Sequence, residues 1–162
     1  MPDVEAFMGL AQLGLGLAGF SGIALALATR HREFEATDQE LVRFLLLNSL
    51  SVSGLAVLPV AVGMLQLSPS VLWRGCSAFH LLGVLVVVWP VFGPRVLLAP
   101  PLFLWGMRFN ILVVFLLQFF NIAGWLYSPS GGVYFAAVAL ILPGTAVAFA
   151  RLLFEFIHRR AV

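Results

Sequence analysis

The residues of this chain able to do chemistry are few, and most are amides and hydroxyls set in apolar sequence. Asn48, Ser51 and Ser53 share one apolar stretch, His80 lies in the next, and Gln118 and Asn121 lie in a third. Such groups bond across packed helices for about 1 kcal/mol or less each, and the same groups can line a narrow water-filled path. His80 is the one histidine inside an apolar stretch, and an ionisable group in such a place is a functional hypothesis by default. Haem ligation by two histidines would need a partner at similar depth, whereas His31 and His158 lie in polar sequence outside the stretches. No aspartate or glutamate falls inside a stretch, which argues against a carboxylate-coupled ion transporter. Cys76 is the only cysteine, so neither an intrachain disulfide nor a thiolate metal cluster can form. HExxH, P-loop and CxxC signatures are missing from the sequence. Glu33, Glu35, Asp38 and Glu40 form an acidic group. It reads better as helix-start acids paired with Arg30, Arg32 and Arg43 than as a cation site. The residues therefore point to no enzyme, no catalytic or metal-binding residue and no cofactor.

The elements that must position these groups are five apolar stretches, Ala6–Thr29, Phe44–Leu67, Gly75–Val91, Phe109–Leu126 and Val133–Ala150. Each has roughly the 17–25 residues that a helix needs to cross a bilayer. With 62% hydrophobic and 10% charged residues, the chain is far from a water-soluble domain, where about a quarter of residues are charged. Continuous apolar runs, not alternating ones, exclude an outer-membrane barrel. There is no lysine, and the nine arginines alternate between gaps. Arg30, Arg32, Arg43, Arg95, Arg108, Arg151, Arg159 and Arg160 fall on one side of the spans and Arg74 alone on the other. The positive-inside rule produces this asymmetry, so the expected topology is N-terminus outside and C-terminus in the cytoplasm. The basic charge then implies lipid headgroups as neighbours, with no nucleic acid. The expected fold is all-α: one transmembrane domain over residues 1–162 in a single bundle, with helices near 6–29, 38–67, 75–92, 109–126 and 133–157.

Local patterns refine each helix. Gly14, Ala18, Gly22 and Ala26 recur every fourth residue and form a ridge that lets a second helix approach closely. That helix could belong to the same chain or to another copy. Thr37 and Glu40 fit a capping box for the second helix. The Asn48 amide is expected to face protein or water. Pro59 removes a ladder bond and frees the Leu55 carbonyl, which predicts a kink. His80 is expected about 8 Å past the start of the third helix, near the outer interface. Trp73 and Trp89 bracket that helix in the manner of an interfacial belt. The segment 94–107, broken by Pro100 and Pro101, reads as interfacial or re-entrant. Asn110, Gln118 and Asn121 fall within about 80° of one another on the fourth helix. Pro143 and Gly144 mark a kink in the fifth helix, and Arg151, Glu155 and Arg159 are spaced for ion pairs along its exit.

In length, five spans and aromatic richness the chain resembles the tryptophan-rich sensory family of membrane proteins. That family's Trp-x-Pro-Pro motif follows its first helix. Here Pro100-Pro101 precedes Trp105, in another place and order, so no ligand-binding residue is carried over. The absence of lysine and the heavy use of arginine, alanine, leucine and glycine suggest a bacterial genome, so the expected location is an inner membrane with the lipid bilayer as first partner. The leading expectation is a homo-oligomeric channel or pore-type transport protein lined by Asn48, Ser51, Ser53, His80, Gln118 and Asn121. The alternative is an accessory subunit of a larger membrane complex.

Overall fold

Residues 3–29, 36–91, 101–125 and 129–158 are described by a computed structural model. Within these ranges, the side chains of 24, 27–29, 36–38, 40, 87–91, 101–104 and 155–158 stand outside the description. Six helices follow one another: α1 (Val4–Thr29), α2 (Ala36–Gly63), α3 (Pro69–Val91), α4 (Pro101–Ala123), α5 (Gly131–Ala139) and α6 (Ile141–His158). No strand occurs among the described residues. Five segments are long and apolar enough to cross a membrane: Val4–Ile23, Leu41–Gly63, Pro69–Val86, Trp105–Ala123 and Gly131–Phe154. The last of these runs through both α5 and α6.

The helix ends follow from their residues. The Ala6 amide donates to the Asp3 carboxylate at 3.2 Å, which satisfies one of the free donors at the start of α1. Gln66, with φ of 54°, turns the chain out of α2. Pro101 opens α4, where its missing N–H is no loss and its fixed φ suits the first helical position. Gly124 closes α4 with φ of 73°, and its amide reaches back to the Phe120 carbonyl at 2.9 Å. Ser130 caps α5 by accepting from the Val133 amide at 3.3 Å.

Three boundaries differ from those read in the sequence. Residues 101–107 are not a separate interfacial or re-entrant piece but the first two turns of α4, since Pro101 begins a helix as readily as it breaks one. Residues 92–100 and the acidic loop at 30–35 lie outside the described residues, as do the capping side chains of Thr37 and Glu40 and the Glu155–Arg159 pairing. The third helix starts at Pro69, six residues before the apolar run. His80 is therefore about 16 Å from its start, near the middle of the span and not near its end. The fifth span is two helices broken at Leu140, three residues before Pro143. Proline has no N–H for the Ala139 carbonyl, and its ring crowds that carbonyl.

α1 packs most extensively against α2, and α3 against α4. Two apolar clusters hold the helices. One joins Phe7, Leu10 and Ala11 of α1, Val52, Leu55 and Ala56 of α2, Leu72, Trp73 and Cys76 of α3, and Tyr134 and Val138 of α5. The other, at the opposite end of α1 and α2, joins Val42, Leu45, Ala148 and Leu152. Trp73 does not form a belt. Its ring is buried, and a Cβ placed on Gly131 would lie 2.6 Å from it, so only glycine fits beneath it. Trp89 is outside the described side chains. Cys76 is a small core residue, 2% exposed.

Candidate functional site

The polar side chains collect where α3 meets α4. Ser77 and His80 are three residues apart on α3, and Gln118 and Asn121 are three apart on α4, so each pair shares one helix face. The helices run antiparallel, and the two pairs meet as rungs. Asn121 Nδ2 donates to Ser77 Oγ at 2.8 Å, and Gln118 Nε2 donates to His80 Nδ1 at 2.5 Å. All four residues are buried.

The Asn121 rung is fully used. Its Nδ2 also reaches the Ser130 carbonyl at 3.2 Å, and its Oδ1 accepts from the Ser130 amide at 2.8 Å. Since Ser130 caps α5, one amide ties together α3, α4 and the start of α5. The His80 rung is half used. With Nδ1 accepting from Gln118, the neutral ring carries its proton on Nε2. That Nε2 has no hydrogen-bond partner among the described residues, and neither has Gln118 Oε1. The imidazole and Tyr134 rings meet edge to face, with centroids 5.9 Å apart and planes at 78°.

Two further polar groups bond carbonyls close to the prolines. Tyr134 Oη donates to the Leu55 carbonyl at 2.8 Å, the same carbonyl that Pro59 leaves without a partner. Asn110 Nδ2 donates to the Leu140 carbonyl at 2.9 Å, at the break between α5 and α6. Backbone polar groups in an apolar setting need such partners, because no water is there to replace a missing bond.

The α2 residues go elsewhere. Ser53 Oγ lies 2.9 Å from the Ala11 carbonyl of α1 and 3.1 Å from Ser49 of its own helix, and it bonds both. Asn48, half-buried, donates to the Phe44 carbonyl one turn back at 2.8 Å, so it hides its amide on its own helix. Ser51 is half-buried. Of the six residues read from the sequence as a lining, His80 and Gln118 are in direct contact. Asn121 is one turn along, Asn48 and Ser53 belong to other contacts, and Ser51 is not brought to the seam by any described hydrogen bond. Ser77, Ser130 and Tyr134 were not among those six. The signal for Ser77 was its three-residue offset from His80, and for Tyr134 the demand of a carbonyl freed by Pro59.

The small-residue ridge divides. A Cβ on Gly14 would collide with Ser53 Oγ and lie 2.7 Å from the Ser49 carbonyl, so α1 and α2 touch there through backbone. Ala18 and Gly22 are half-buried and Ala26 is exposed, and a Cβ on Gly22 would meet nothing within 4 Å. No group of three or more His, Cys, Asp or Glu able to hold a metal ion occurs among the described residues. Comparison with protein-family models, with curated proteins and with solved structures finds no match.

Proposed function

We propose that this chain is a non-enzymatic membrane subunit that acts through its outer surface, by associating with copies of itself or with a larger membrane complex. It crosses a bacterial inner membrane five times as a single bundle, with the N-terminus outside and the C-terminus in the cytoplasm. The arginine asymmetry supports that orientation. The observation that carries the reading is the way the interior polar groups are used. Asn121, Ser53, Tyr134 and Asn110 each bond partners inside the same chain, and an apolar cluster lies toward either end of the helices. Interior groups committed in this way hold helices together and leave the lipid-facing surface as the place of action.

A second reading, a channel, is favoured by one feature: buried His80 Nε2, Gln118 Oε1 and Ser49 Oγ have no partners among the described residues. Internal water would satisfy them. One experiment separates the two. The subunit reading expects protein extracted in mild detergent to have a protein mass, with bound detergent subtracted, well above the 17.6 kDa of one chain, and purified protein in liposomes to pass no ions. Ion flux above empty liposomes would overturn it in favour of the homo-oligomeric channel, whatever the mass.

A further inference from the structure

We propose that two copies of this chain associate through the outward face of α1, with the Gln12 amide of one copy hydrogen-bonded to Gln12 of the other. The proposal rests on the membrane-subunit reading and names its partner. Five asparagines and glutamines lie in the candidate spans. Asn48, Asn110, Gln118 and Asn121 are each hydrogen-bonded within the chain. Gln12 is the exception. It is exposed, and no described residue supplies a partner for its amide. It is also deep: within Val4–Ile23 it stands about 12 Å along a segment about 28 Å long. An amide at that depth facing hydrocarbon has lost water and gained nothing, so intramembrane polar groups are found against protein.

The backbone around Gln12 is open to such a partner. Gly9, Gly16 and Gly19 lie within about 80° of it around the helix. A Cβ built on any of the three would meet nothing within 4 Å. Glycine inside a helix weakens it, and at Gly14 contact with α2 explains why glycine is kept. No described residue explains the other three. The opposite face of α1 is already committed, since Phe7, Leu10, Ala11 and Ser21 are buried.

The amide itself selects a second copy. It carries both donors and an acceptor, so two of them related by a twofold axis along the membrane normal satisfy one another. That axis also sets both at the same depth without any further requirement. A purely apolar partner helix would leave the amide as it is.

The test uses the full chain labelled at its N-terminus with donor and acceptor dyes, in phosphatidylcholine vesicles of increasing lipid-to-protein ratio. Wild type is expected to show energy transfer that falls on dilution. Gln12→Leu should shift the midpoint of dissociation by about tenfold, Gln12→Asn by no more than about twofold, and Gly16→Ile should weaken association as Gln12→Leu does. Because no described residue hydrogen-bonds Gln12, the thermal midpoint of Gln12→Leu should equal that of wild type at the dilution where both are monomeric. Wild type without energy transfer at any dilution, or Gln12→Leu associating as tightly as wild type, would overturn the proposal. In either case, detergent-extracted protein that still runs in a larger complex and passes no ions leaves the subunit reading standing, whereas ion flux ends both.

Discussion

Two neighbouring rungs between α3 and α4 put the same kind of side chain to opposite use. Asn121 makes three hydrogen bonds, to Ser77 Oγ and to both backbone groups of Ser130. Gln118, one turn away and just as buried, makes one, and its carbonyl and the far nitrogen of its histidine partner are left over. A satisfied buried amide stabilises and specifies the packing around it. A half-satisfied one is close to neutral or unfavourable for folding. The α3–α4 seam therefore has a structural rung and a rung that stability alone does not account for. The same contrast runs along α1, where Gly14 is committed to α2 and Gly22 is not.

The largest effect should come from the structural rung. Asn121→Leu removes three bonds and strands the Ser130 amide and Ser77 hydroxyl, for an expected loss of about 3 kcal/mol. Unfolding in mixed micelles would measure it, and a loss no larger than that of Gln118→Leu would erase the distinction between the rungs. Next comes the α1 contrast. Gly14→Leu drives a side chain into the α2 backbone and should cost about 2 kcal/mol, while Gly22→Leu should cost little. Equal losses at the two positions, measured the same way, would break the division of the ridge. The smallest effect is expected where the seam is half-satisfied. Replacing both His80 and Gln118 with leucine removes donor and acceptor together, so stability should change by less than about 1 kcal/mol. A large loss would show that the pair is as structural as Asn121. An unchanged fold with lost assembly would assign the pair to function.

Much of this was legible in the residues. Apolar length marked out five segments able to span, and all five occur as helices or helix pairs. Helical periodicity placed Asn110, Gln118 and Asn121 on one face, and each of them does bond toward neighbouring elements. Proline chemistry named the Leu55 carbonyl as the group in need of a donor. These inferences are local: they depend on residues within a turn or two, where covalent geometry and the helix repeat leave little choice.

What the sequence by itself determined is therefore where helices form, which face of each is polar and where a ladder bond must fail. Only the tertiary structure decided who meets whom. The donor for Leu55 is Tyr134, 79 positions away. Asn121 holds Ser130 and Ser77, while Asn48 turns back on its own helix. Gly14 is the close contact and Gly22 is not, though both stand on the same ridge. The physical reason is that periodicity specifies a direction around one helix axis. A partner is specified by register and crossing between two axes, which long-range packing sets and which no short window of sequence contains.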